Sequence, residues 1–130
     1  MKNLYALVFI SILVLSCSSD NGNDDNIIGK WQIIERYESG VSVDIGCGEY
    51  FYNEFNSNHN FVGGYIDFDS TPIDCKENAN FTSEKWSKKS DNLYEIYNSL
   101  NEVRLRAYFE GENLVIEFVE LPYRLVHKKL

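Results

Sequence analysis

The chain has 130 residues, 44% of them hydrophobic and 15% aromatic, with 20 acidic against 12 basic side chains and a net charge of −8. That length fits one small domain. An acid surplus of this size repels phosphate backbones and anionic head groups, which argues against nucleic acid as a partner.

In chain order, Met1-Lys2-Asn3 carries one positive charge, and Leu4 to Leu15 is almost wholly apolar. A short basic segment followed by about a dozen apolar residues reads as a secretory signal over residues 1–16. Crossing a bilayer as a helix takes about 20 apolar residues, so this stretch is too short to span one. It ends in Val14-Leu15-Ser16-Cys17, which resembles the lipobox of bacterial lipoproteins. The resemblance implies cleavage before Cys17, lipid attachment to that thiol, and anchoring in the cell envelope at the outer membrane, facing the periplasm or the surface. Each buried methylene of such a lipid contributes about 0.8 kcal/mol, and two or more chains make a stable anchor. Without Lys2 the mature chain carries 11 basic against 20 acidic residues, a net charge near −9.

Residues 17–26 join the lipidated cysteine to a polar run rich in Asp and Asn that cannot bury a core, and so read as a flexible tether. Its start, "CSSD", is similar to the short Ser/Asp signals of surface lipoproteins in Bacteroidetes-type bacteria.

From Ile27 to Leu130 the pattern is that of β-strands. Alternation is clearest in "EVRLRAYFE", where Val103, Leu105, Ala107 and Phe109 share one face and Arg104, Arg106 and Tyr108 the other. "SDN" at 90–92 and "GEN" at 111–113 mark tight turns. The predicted strands are 29–38, 49–56, 60–68, 81–88, 93–98, 102–110, 113–120 and 123–129, with any helix confined to one turn near 71–79. Gly63-Gly64 predicts a bulge or bend in the third strand. Eight short strands joined by short turns predict an all-β domain over 27–130, a small antiparallel up-and-down meander closed into a barrel so that no edge strand is left exposed.

"IIGKWQIIERY" places Gly29 and Trp31 at the start of the first strand. This G-x-W, the strand rhythm and the "ENLVIEF" hairpin resemble the lipocalin-like domains of bacterial lipoproteins. The resemblance implies that Trp31 closes the barrel base and that a basic residue of the last strand packs across its indole; Arg124 is the residue at the matching place. Read from the residues alone, the alternative for Trp31 is a core tryptophan on an edge strand of a β-sandwich.

Eight strands leave room for side chains or for one small ligand. Tyr50, Tyr52, Phe61, Tyr65 and Trp86, with Phe51, Phe55 and Phe68 beside them, either line a pocket for a small apolar molecule or fill the core. Cys47 and Cys75 form an even pair in an exported chain, read as a disulfide with two buried free thiols as the alternative. His59 and His127 lack zinc-like spacing to those cysteines; His59, in a turn, reads as solvated, and His127, beside Lys128-Lys129, reads as part of a terminal face. "DFDSTPID" lacks the glycine and terminal glutamate of a calcium loop, and no metal or cofactor is assigned. Asp69-Ser70-Thr71 resembles an acceptor for O-glycosylation at Ser70. No nucleophile elbow, phosphate loop or metalloprotease pair occurs, so the chain reads as a non-enzyme. Two functions stay open: binding of a small apolar ligand, and a protein-interaction or envelope accessory module with a filled core.

Overall fold

The computed structural model describes residues 25–65 and 80–130. Nine strands follow in order: β1 (Gly29–Glu38), β2 (Val41–Val43), β3 (Tyr52–Phe55), β4 (Asn60–Tyr65), β5 (Asn80–Ser90), β6 (Leu93–Tyr97), β7 (Val103–Glu110), β8 (Asn113–Phe118) and β9 (Tyr123–Lys129). Every pairing is antiparallel, and β1 pairs β9 to close the sheet. β2 and β3 lie along the same side of β1, β2 at Arg36–Glu38 and β3 at Gly29–Gln32. They act as one barrel strand interrupted by a 3-10 turn at Gly46–Tyr50. The result is a closed eight-stranded up-and-down β-barrel, consistent with a lipocalin-like fold.

The first and last strands occupy the expected residues. The expected strand 49–56 begins later, at Tyr52, because Gly46 and Gly48 allow the chain to coil before it re-enters the ladder. The preceding strand Val41–Val43 was not anticipated, being only three residues long. The turn expected near 71–79 lies outside the described residues. Of the bulge or bend expected at Gly63-Gly64, no bulge interrupts the pairing with β5: β4 and β5 stay in register from Asn60↔Lys85 to Tyr65↔Asn80. Gly63 answers to space instead, since a Cβ there would come within 2.7 Å of the Phe61 ring and 3.2 Å of Asn53 Oδ1.

Up-and-down connectivity sorts the connections to two ends. The chain enters at 25–28, at the same end as turns 56–59, 91–92 and 111–112 and the residues 128–130; we call this the near end. The far end carries 39–40, 98–102 and 119–122.

Inward-facing residues of the near half make the main core. Trp31, Phe55, Phe61, Trp86, Tyr94, Ile96, Leu114 and Ile116 are all at most 2% exposed. Ring contacts run from Phe61 through Phe55, Trp86, Tyr94 and Phe109 to Trp31, most of them edge-to-face at 4.8–6.3 Å between centroids. Both indoles donate to backbone at the near end, Trp31 Nε1 to the Ile27 carbonyl at 2.7 Å and Trp86 Nε1 to the Asn56 carbonyl at 3.1 Å. These bonds tie the incoming chain and the 56–59 turn to the core. A smaller cluster of Ile33, Cys47, Phe51 and Leu125 lies under the 3-10 turn.

Candidate functional site

The barrel base is built around Trp31. Gly29 has φ +133°, a conformation that favours glycine, and a Cβ there would sit 3.0 Å from Lys129 Cε. The register explains the neighbour: Trp31 pairs with Lys129, whose ammonium stands 5.4 Å from the indole centroid and donates to the Asn26 carbonyl at 3.2 Å. Arg124 is not the cation over Trp31. It pairs with Tyr37, six residues or about 20 Å farther along β1. There its guanidinium lies 5.3 Å from the Tyr37 centroid, bonded to Glu110 and 4.0 Å from Glu117.

Of the five residues considered as a pocket, the four whose side chains are described do not line one cavity together. Phe61 and Trp86 are 2% exposed and belong to the packed core. Tyr52 pairs with outward-facing Gln32, and the Lys30 ammonium lies 4.6 Å from its ring. Tyr50 is 48% exposed on the 3-10 turn. The Tyr65 side chain, like Cys17, Ser70 and Cys75, is outside what the structure describes.

His127, expected on a terminal face, is fully buried, because its register opposite Ile33 and Leu114 turns it inward. Asn53 Nδ2 donates to its Nε2 at 2.8 Å, and its Nδ1 lies 3.2 Å from the Leu114 carbonyl. With Nε2 accepting, Nδ1 carries the proton and the ring is neutral. Burial lowers its pKa to about 4. A neutral ring with both nitrogens engaged braces β3 against β9 and has no nitrogen left for substrate. His59 is exposed as expected, but its ring also stacks 4.7 Å from that of Trp86.

Arg36 also points inward, since the register shift between Ile33 and Glu35 moves it to the buried face. Its guanidinium pairs with Glu38, lies 3.5 Å from the Asp44 carbonyl and faces the Tyr123 ring at 5.6 Å. Cys47 is 2% exposed and packs with Ile33, Phe51 and Leu125. Among the described residues, no three His, Cys, Asp or Glu side chains are grouped to hold a metal ion.

Sequence reasoning missed an open cleft of about 500 Å³ at the far end. Tyr37, Phe118 and Tyr123 form its aromatic lining, Leu121 and Pro122 its rim, with Glu117 and Arg124 at the side. Phe118 and Tyr123 stand perpendicular at 5.7 Å, and Ser39 N donates to the Pro122 carbonyl at 2.9 Å, joining the two turns that flank the cleft. The signal available in sequence was "VELPY", an apolar and acidic run between two strands, where a turn is ordinarily polar.

No protein-family model matches the chain, and no curated protein matches it.

Proposed function

We propose that the chain is an envelope lipoprotein, anchored at the outer membrane through Cys17, whose barrel is a non-catalytic scaffold offering its far end to a protein partner. One observation carries this reading. Of the six large hydrophobic residues exposed among the described residues, Val41, Leu100, Val119 and Leu121, 43–76% exposed, lie at or beside the far-end connections, with Tyr50 on the 3-10 turn and Leu130 at the near end, where the chain enters. Anchored at one end, the domain holds the far-end apolar side chains away from the bilayer. Solvent-exposed apolar residues gathered in one region mark contact surfaces.

The same reading includes a Cys47–Cys75 disulfide. Its support is a buried Cys47 in a chain of three cysteines, of which lipidation would occupy Cys17. O-glycosylation at Ser70 remains a proposal resting on its three-residue motif.

The test of the interaction module is the apparent mass of the protein extracted from its own membranes in mild detergent. The native chain is expected to migrate in an assembly that Val41→Asp with Leu121→Asp disperses. An unchanged mass for the double variant would contradict the reading.

A second reading, binding of a small apolar molecule, is favoured by the far-end cleft and its three aromatic rings. Native mass spectrometry of the extracted protein separates the two: a reproducible small adduct lost with Tyr123→Ala supports a ligand, and a clean apo mass supports the protein partner.

A further inference from the structure

The far end differs from the near end in charge as well as in exposed apolar surface. Five of the six lysines among the described residues (Lys30, Lys88, Lys89, Lys128 and Lys129) lie on the half of the barrel nearer the entering chain, and Lys85 lies at mid-barrel, opposite Asn60 and Tyr97. The far-end segments 39–45, 98–102 and 119–122 contain three carboxylates, Asp44, Glu102 and Glu120, and no lysine or arginine. All three are exposed. The arginines toward that end are already engaged: Arg36 with Glu38, Arg104 with Glu84 at 2.8 Å, and Arg124 with Glu110 and Glu117. Acidic charge therefore surrounds the same turns that expose Val41, Leu100, Val119 and Leu121.

We propose that the far end docks a cationic, apolar segment of a partner protein, its apolar side chains seated in the cleft between Tyr37, Leu121 and Tyr123 and its lysines or arginines facing the ring of carboxylates. This rests on reading the domain as an interaction module, and it specifies the partner's chemistry. Complementary potential speeds encounter and disfavours acidic competitors, while aromatic and aliphatic side chains at the centre supply the contact that holds. A small apolar molecule has no use for three carboxylates, and an anionic head group is repelled by them.

The test is site-specific photocrosslinking of the full chain in its own host. A photoreactive residue is placed at Leu121, with Asn58 on the exposed near-end turn as control. A discrete protein adduct is expected from Leu121 and not from Asn58. Its yield is expected to fall at least fivefold with Glu102→Lys and Glu120→Lys together, and by less with the two glutamines. The partner peptide recovered from the adduct should carry net positive charge. Unchanged yield on charge reversal, or an acidic partner peptide, overturns the cationic partner and leaves the interaction reading standing. No adduct at Leu121, adduct only to lipid, or equal adducts at Asn58 overturn the interaction reading itself. An unchanged unfolding midpoint in each variant confirms that the barrel is intact.

Discussion

The two ends of this barrel are built from different chemistry. At the near end aromatic rings meet edge to face, both indole N–H groups find backbone carbonyls, and Lys129 covers Trp31. At the far end Arg36 is turned inward with Glu38, aliphatic side chains face solvent, and an open cleft lies between two turns. The chain thus concentrates its buried apolar area beside the end at which it enters the barrel and leaves exposed apolar groups at the opposite rim. Stability and the proposed recognition are separated along the barrel axis, so a change at one end should leave the other largely untouched.

The sharpest way to break that comparison is Trp31→Ala, which empties the centre of the near-end core and should cost about 3–5 kcal/mol in urea unfolding. A loss near 0.5 kcal/mol would mean that the near end does not carry the fold. Removing Cys47 as Cys47→Ser should cost about 3–4 kcal/mol if it is linked to Cys75. Alkylation without reductant should then find neither thiol free in the native chain.

His127 gives the comparison a pH dependence. Its pKa is lowered from 6.5 to about 4 by burial, so the unfolded chain binds its proton more readily than the folded one. Its contribution is therefore fully present above pH 6.5 and is lost as pH falls toward 4, at most about 3 kcal/mol. His127→Gln should flatten the dependence of the unfolding free energy over that window; an unaltered slope would assign it to other groups. Gly63→Ala should cost about 1–3 kcal/mol by driving a methyl into the Phe61 ring. The smallest effect separates the two cations of β9. Lys129→Met should remove about 0.5–1 kcal/mol and alter Trp31 fluorescence, while Arg124→Met should leave that fluorescence unchanged.

Much of the barrel was legible because period-two patterning is local. "EVRLRAYFE" reveals its buried face without reference to any other strand, and Leu105 and Ala107 are indeed buried. Register is not local. Nothing within "PYRLVHKKL" says that Lys129, and not Arg124, pairs with Trp31, or that His127 faces Ile33 inside the wall; both follow from where β9 meets β1. The same holds for the proposed site. The cleft joins turns 39–40 and 119–122, which are far apart in sequence and meet only when β1 closes against β9. The aromatic residues first considered as a pocket mislead for a related reason: composition counts rings, while burial depends on which wall each ring faces.

The most direct test of this division is hydrogen exchange on the full chain extracted with and without its partner assembly. Near-end strand amides around Trp31, Phe61 and Trp86 should exchange only through global unfolding in both samples. Amides of 39–43 and 119–123 should exchange quickly in the isolated chain and slow at least tenfold in the assembly. Equal protection of those turns in both samples, or protection gained at the near end instead, would contradict the account.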